Sequence, residues 1–230
     1  MSMKNPSKDL SYKLWKKEAD YIDNEIRYNE RQRFFSQTWD YLRCREQLKG
    51  DYYEFGCHKA KTFRMALTEC SLRNIEWMDF YAFDSFKGLP ELKDEDDDLI
   101  WEKGAFKTKI SDFRKIIHKH GLFTEKVHLI KGYYADSLTM DLQNEFLRKS
   151  KIAVAFIDCD LYSSTIQALD FIEPLLQEGS VIYFDDYFMF KGNPNKGEQK
   201  AFLEFKEKSR FDFIEHMQIG WFGKSFIAYK

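Results

Sequence analysis

The sequence predicts an α/β fold: a mostly parallel sheet with helices on both faces, closed by a C-terminal antiparallel hairpin and preceded by N-terminal helices. Three observations predict it. From residue 50 onward, short strand-like runs alternate with helical segments, the order that builds a parallel sheet covered on both sides. The stretch Ile152-Ala153-Val154-Ala155-Phe156-Ile157 is apolar without a break, as expected of a strand buried on both faces. The last two strand-like runs, 211–218 and 224–229, are joined by a short glycine-containing segment, which is a hairpin signal.

The elements follow in order. Residues 12–49 read as helix, because Phe35, Trp39 and Leu42 fall at i, i+4 and i+7, and Gly50 ends the stretch. Tyr52-Tyr53-Glu54-Phe55 is a short aromatic strand closed by Gly56. Residues 62–72 read as helix, with Phe63, Ala66, Leu67 and Cys70 on one face. Residues 77–83 form the second strand. Residues 111–119 are helical, with Gly121 as a C-terminal stop. Val127–Lys131 is the third strand and Ile152–Ile157 the fourth. Residues 164–177 read as helix, 180–184 as the fifth strand and 201–208 as helix, before the hairpin.

Composition limits what such a chain does. Its 230 residues carry 36 Lys+Arg against 38 Asp+Glu, a net charge of -2, which disfavours a phosphate-backbone binder. The first 50 residues, with 11 basic and 8 acidic side chains, are only mildly positive. No apolar run approaches the ~20 residues that span a bilayer. The polar stretch 1–11 lacks the apolar segment of a signal peptide. Cys44, Cys57, Cys70 and Cys159 show neither CxxC nor zinc spacing. The expectation is a reduced cytoplasmic protein. Aromatics make up 17% of the chain and prolines number only 4, against disorder. The sequence divides into a helical extension, 1–49, expected to serve as a lid or dimer contact, and one catalytic domain, 50–230.

In open α/β sheets, ligands bind beyond the C-terminal ends of the strands. There the chain places Glu54-Phe55-Gly56, Asp84-Ser85-Phe86, Gly132-Tyr133-Tyr134-Ala135-Asp136, Asp158-Cys159-Asp160 and Asp185-Asp186-Tyr187. Two charges ~4 Å apart interact by ~4 kcal/mol at an effective dielectric of 20, so crowded carboxylates need spacing or a cation. Asp158, Asp185 and Asp186, with no His or Cys donor grouped beside them, suit a hard cation such as Mg²⁺. The plain alternative, that Asp185 and Asp186 cap a turn, stays open. Asp84 has the position of a ribose-binding carboxylate, or of a solvated turn. The first turn, Gly56-Cys57-His58-Lys59-Ala60-Lys61-Thr62, is neither GxGxxG nor a P-loop. Its single glycine lets a ligand approach the backbone without cradling a pyrophosphate, which favours a nucleoside ligand. His118 and His120 read as surface residues and His216 as structural. The acidic run 94–98 reads as a solvated loop or as a lid. Residues 188–196, with Lys191 and Lys196, are a candidate substrate loop.

These residues carry a family resemblance. Tyr53-Glu54-Phe55-Gly56, Phe83-Asp84-Ser85-Phe86-Lys87-Gly88-Leu89-Pro90, Phe156-Ile157-Asp158-Cys159-Asp160-Leu161-Tyr162-Ser163-Ser164-Thr165 and the segment ending Asp185-Asp186-Tyr187 resemble the macrocin-type O-methyltransferases. These are class I enzymes that use S-adenosyl-L-methionine (SAM). The resemblance covers roughly residues 50–229. It implies a Rossmann-like, seven-stranded sheet ending in the hairpin. It implies SAM along strands one to three, with Glu54 and Gly56 by the methionine end, Asp84 by the ribose, and Tyr134 and Ala135 near the adenine. Cys57, Thr62, Ser85 and Asp158 complete the expected cofactor set. It also implies Mg²⁺ on Asp158, Asp185 and Asp186. Where the family usually has glycine this chain has Ala60, and where small polar residues are usual it has His58-Lys59.

The expected reaction is in-line methyl transfer to a hydroxyl of a small molecule such as a sugar or natural-product glycoside. Asp158 or Asp160 takes the proton. A nucleic acid or membrane partner is not expected, and the aromatic N-terminal helices are candidates to pack across a homodimer. Two rivals remain: a Mg²⁺-dependent phosphoryl-transfer or hydrolase enzyme using the same aspartates, and a catalytically inactive SAM-fold interaction protein.

Overall fold

A computed structural model describes residues 6–44, 48–93, 96 and 102–230, and of residues 6–13 the backbone alone. Among these, the strands are β1 (Asp51–Phe55), β2 (Phe80–Asp84), β3 (Val127–Lys131), β4 (Ile152–Ile157), β5 (Val181–Phe184), β6 (Asp212–Ile219) and β7 (Gly223–Tyr229). They form one sheet in the order β3-β2-β1-β4-β5-β7-β6. The first five strands run parallel. β7 runs antiparallel to β5, and β6 pairs with β7 as the expected hairpin. The helices are α1 (Pro6–Arg43), α2 (Lys61–Leu72), α3 (Ile110–His120), α4 (Tyr134–Ser137), α5 (Met140–Lys149), α6 (Tyr162–Ile172) and α7 (Gly197–Lys208).

Strand order turns back between β1 and β4, so successive connections leave these neighbours in opposite directions. A crevice opens there at the C-terminal edge. Every residue of β4 is buried, in line with its unbroken apolar run. Alternate strand residues feed two core layers. Tyr52, Phe80, Val154, Phe156 and Tyr183 face α1, α2 and α3. Tyr53, Phe55, Phe83, Ala155, Ile157 and Phe184 face α5, α6 and α7.

The second half of α1 belongs to the first layer. Phe34, Phe35, Trp39 and Leu42 are fully buried. The Phe35 ring stacks on Phe156 at 5.4 Å, and Phe34 lies 4.5 Å from Tyr183. At ~1.5–3 kcal/mol per fully buried large apolar side chain, these four anchor the helix. An i, i+4, i+7 aromatic pattern is therefore the docking face of α1.

The structure departs from the sequence expectation in several places. The N-terminal helices expected over 12–49 are one helix that ends at Arg43, short of Gly50, and the helix expected over 201–208 begins at Gly197. α4 and α5 occupy a stretch between β3 and β4 that the pattern left unassigned. In α5 the apolar side chains that turn inward are Leu142 and Phe146, and its start is capped by Thr139, which accepts from Leu142 N at 3.2 Å. The helix expected over 164–177 ends at Ile172, because Pro174 sits in a 3-10 turn, Glu173–Leu175. The second strand begins at Phe80 rather than at residue 77.

Candidate active site

A cavity of about 700 Å³ lies at the C-terminal edge of the sheet, over β1, β2 and β4. Its floor is the first loop. Gly56 takes φ 86°, and a Cβ there would fall 1.8 Å from the Asp158 carbonyl oxygen, so only glycine lets β1 and β4 end this close together. Ala60 and His58 also hold positive φ, 53° and 32°. The loop keeps the left-handed bends of a glycine-containing turn, at a cost of ~1–2 kcal/mol for a residue bearing a Cβ.

Asp84 braces that loop. Its Oδ2 accepts from Cys57 N at 2.8 Å and from His58 N at 3.3 Å, and its Oδ1 accepts from Phe86 N at 2.6 Å. Gly56, Cys57, Thr62, Asp84 and Ser85 all line the cavity, as do Tyr134 and Ala135 after β3. The Tyr134 hydroxyl donates to Phe83 O at 3.3 Å, and burial holds its pKa well above the ordinary range. Glu54 is not among the lining residues. It sits beneath the loop, fully buried, where Thr62 Oγ1 donates to its Oε1 at 2.8 Å and the Tyr52 hydroxyl donates to its Oε2. Burial pushes its pKa up to about 8.

The opposite wall is acidic. Asp158, Asp160, Asp185 and Asp186 all line the cavity. Burial, then Asp185, raises Asp158 well above the carboxylate range. Burial, then Asp186, does the same for Asp160. Asp186 is pushed up to about 6 by burial and Asp185. Behind them, buried Glu198 accepts from Asp186 N through Oε2 at 2.9 Å, while its Oε1 has no hydrogen-bond partner. The backbone between Asp158 and Asp160 is not extended: Asp160 takes φ 63°, and Leu161 N donates to Cys159 O at 2.6 Å. The chain turns sharply here to enter α6, and Asp160 shares a hydrogen bond with Asp186.

The third wall was missed by sequence reasoning. Asp23, Asn24, Arg27 and Arg31 of α1 reach the cavity. Arg31 Nε donates to Asp185 Oδ1 at 2.8 Å, and Nη2 donates to Oδ2. The Tyr183 hydroxyl also donates to Asp185 Oδ1, at 2.6 Å. Burial works against the guanidinium charge, but Asp185 beside it holds the pKa above the usual range. Arg27 lies 4.7 Å from the ring centroids of both Trp221 and Phe222 and pairs with Asp23 at 3.3 Å. A signal was present: Arg27 and Arg31 continue the face of Phe34 and Thr38 at i, i+4, i+7 and i+11. Two arginines on a face that becomes core mark a charged site within it.

The described residues of the segment after β2 line the cavity beside the first loop. Leu89 and Gly104–Ala105 pair through their backbones, Leu89 N to Ala105 O and Gly104 N to Leu89 O, both at 3.0 Å. Of the acidic run 94–98, Asp96 alone is described, and it is buried. It accepts from Ser163 N at 3.0 Å and from Ser163 Oγ, tying the segment to the start of α6. The rest of that run lies outside the described residues. In the candidate loop 188–196, Met189 lines the cavity while Lys191 and Lys196 do not. His118 is exposed and His120 half-buried, with Nε2 3.2 Å from Thr68 Oγ1. His216 Nδ1 lies 3.1 Å from Ser225 Oγ, within the hairpin.

The acidic wall offers oxygen donors only, the donor type a hard divalent cation takes, but its carboxyls are already engaged with one another and with Arg31: Asp160 shares a hydrogen bond with Asp186. No preformed group of three metal-holding His, Cys, Asp or Glu side chains is present among the described residues. Arg31 takes both oxygens of Asp185.

Comparisons with known proteins agree with this architecture. Two solved methyltransferases share the fold. The O-methyltransferase NovP has a TM-score of 0.68 at 19% identity, over 87% of this chain and 80% of that one. The calicheamicin methyltransferase CalS11 has a TM-score of 0.69 at 19% identity, over 86% and 78%. Among curated proteins, a tetracenomycin-C rhamnosyl 4'-O-methyltransferase of Streptomyces olivaceus is 29% identical over 113 residues, 46% of this chain and 41% of its own length. Mycinamicin III 3''-O-methyltransferase of Micromonospora griseorubida is 22% identical over 152 residues, 62% of this chain and 57% of its own. The chain thus spans about half the length of the curated relatives it matches. The model of the family described as Macrocin-O-methyltransferase (TylF) matches residues 15–222. The chain belongs to the macrocin O-methyltransferase family.

Proposed function

We propose that this protein transfers the methyl group of SAM to a hydroxyl of a small molecule, a sugar carried on a natural product. One observation carries the reading. A single cavity joins a wall formed by the ends of β1, β2 and β3 to a buried acidic wall at the ends of β4 and β5. The first holds a cofactor and the second activates an alcohol.

The chemistry needs an oxygen nucleophile in line with the sulfonium methyl. Holding two reactants in that geometry supplies ~7–11 kcal/mol. The first loop and Asp84 hold the nucleoside end, with Asp84 keeping spare acceptor capacity for a ribose hydroxyl. Asp158 is the base. Both Asp158 and Asp160 line the cavity, but the carboxyl of Asp160 is shared with Asp186. The acceptor proton passes to Asp158 as the O–CH₃ bond forms and the S–CH₃ bond breaks, leaving S-adenosylhomocysteine. The sulfonium charge and Arg31 both favour ionised Asp158. A divalent cation, if bound, would be held by Asp158, Asp185 and Asp186, with Asp185 first released by Arg31. It would lower the pKa of the acceptor hydroxyl. Arg27 and Asn24 face the acceptor from α1.

The test is transfer of labelled methyl from SAM to rhamnosyl polyketide glycosides, the acceptor type named for the Streptomyces relative. Labelled glycoside that disappears in Asp158→Asn supports the reading. SAM binding without transfer to any sugar hydroxyl counts against the acceptor class, and absence of SAM binding counts against the reading as a whole.

A further inference from the structure

The carboxylates of the acidic wall find their partners within the chain itself. Asp160 and Asp186 share a hydrogen bond. Asp185 gives both oxygens to Arg31, and the Tyr183 hydroxyl adds a third donor at 2.6 Å. A guanidinium fork matches the two oxygens of a carboxylate, so a metal ion reaching for Asp185 has to displace it. Displacement strands a charge that is only 13% exposed, and an unpaired buried charge is strongly unfavourable. The turn of α1 that carries Arg31 is also held from both sides. Glu30 Oε2 accepts from Gly220 N at 3.2 Å, and Arg33 Nη2 donates to Gln218 O at 2.9 Å. The Phe34 ring lies 4.5 Å from that of Tyr183. The guanidinium itself sits 5.1 Å from the centroid of the Phe222 ring, a cation–π distance. These contacts, none of them to Asp185, fix where Arg31 stands.

We infer that Arg31 is the resident counter-charge of the acidic wall, standing where the family resemblance implies a divalent cation, and that methyl transfer by this chain needs no metal. The inference rests on the methyl-transfer reading for what the wall does, while the placement of Arg31 is independent of it. Arg31 is a positioning residue that acts through Asp185. It neutralises a carboxylate that otherwise repels Asp158 and Asp186, and its charge favours the ionised form of Asp158. A metal would in addition bind the acceptor oxygen and lower its pKa. A guanidinium spent on Asp185 does not, so proton removal falls to Asp158 alone. The acceptor hydroxyl then needs no neighbouring oxygen to complete a chelate.

The test reads cation binding and transfer separately, on the full chain stripped with EDTA. Titration with Mn²⁺, followed by the paramagnetic resonance signal of the free ion, is expected to show no micromolar site in the wild type. Arg31→Gln is expected to gain a Mn²⁺ site at least ~10-fold tighter than any in the wild type, lost again in Arg31→Gln/Asp185→Asn. A purely structural Arg31 would cost stability in Arg31→Gln without creating a Mn²⁺ site, and that result overturns the inference. Methyl transfer to rhamnosyl glycosides by the wild type is expected to run in EDTA within ~2-fold of its rate in Mg²⁺. Arg31→Lys, which keeps the charge and loses the fork, is expected to retain part of that rate in EDTA, and it carries the test should Arg31→Gln fail to fold. A wild-type chain that binds one Mn²⁺ at micromolar concentration and loses it in Asp185→Asn overturns the inference. So does wild-type transfer that EDTA abolishes and Mg²⁺ restores. If no acceptor is methylated under either condition, the methyl-transfer reading fails, and the Mn²⁺ titration still decides whether Arg31 holds the cation's place.

Discussion

Arg31 grips Asp185 through both nitrogens of its fork, Nε to Oδ1 at 2.8 Å and Nη2 to Oδ2. The pair joins the first helix to the end of the fifth strand, 154 residues away. It supplies a fully engaged positive charge on a wall of buried carboxylates. Arg31 is 13% exposed and Asp185 3%, so neither is balanced by bulk water.

Removing one partner leaves the other charge buried, at ~3–5 kcal/mol. Arg31→Gln is expected to lower Tm by roughly 6–20 °C, taking ~2–4 °C per kcal/mol for a chain of this size. Arg31→Gln/Asp185→Asn is expected to recover part of the loss. Calorimetric titration of Arg31→Gln with Mg²⁺ is expected to show tighter binding than wild type, because the guanidinium no longer competes for Asp185. Unchanged Mg²⁺ affinity would mean that Arg31 does not guard this carboxylate.

The docking face of α1 gives a second expectation. Trp39 is fully buried against Phe35 and Tyr52, and its Nε1 donates to Cys70 Sγ at 2.8 Å. Trp39→Ala is expected to cost ~3–5 kcal/mol, seen as a lowered urea midpoint. A loss under ~1 kcal/mol would show that α1 is dispensable to the core.

Glu54 makes stability depend on pH. Its pKa is near 8 in the folded chain and 4.5 when unperturbed, so the folded state binds the proton more tightly. Stability is full below pH 4.5 with respect to this group and falls as pH rises toward 8, by at most about 1.4 kcal/mol per pH unit. Glu54→Gln is expected to flatten that part of the Tm-against-pH curve. An unchanged slope would mean that the carboxyl is already ionised at neutral pH.

Asp96 fastens the segment after β2 to Ser163. Asp96→Ala is expected to cost ~0.5–2 kcal/mol of stability through the lost cap on α6, and to weaken SAM binding several-fold as the segment loosens. Equal SAM affinity in calorimetry would reduce Asp96 to a helix cap.

Much of this was legible in the chain. The strand ends, the terminal hairpin and the carboxylates of the acidic wall follow from local patterns: an apolar run, a turn, an acidic residue just beyond. The cavity gathers Asp84, Asp158, Asp160, Asp185 and Asp186 because parallel strands bring their C-terminal ends to one edge. What was illegible depends on long-range packing. Arg31 reads locally as one more charge on a charged helix, and only its register with Phe34 and Thr38 turns it inward. Glu54 reads as a ligand-facing acid at a strand end, yet strand alternation sends it under the loop to Tyr52 and Thr62. The bend at Asp160, φ 63° where the chain enters α6, carries no local mark in the sequence.

The central claim is that the wall formed by β1, β2 and β3 binds SAM. Calorimetric titration of the purified protein with SAM, set beside a parallel titration with ATP and Mg²⁺, tests it most directly. The account predicts one SAM site per chain with micromolar affinity and no comparable heat from ATP. Heat from ATP with none from SAM would contradict it and turn the acidic wall toward phosphoryl transfer.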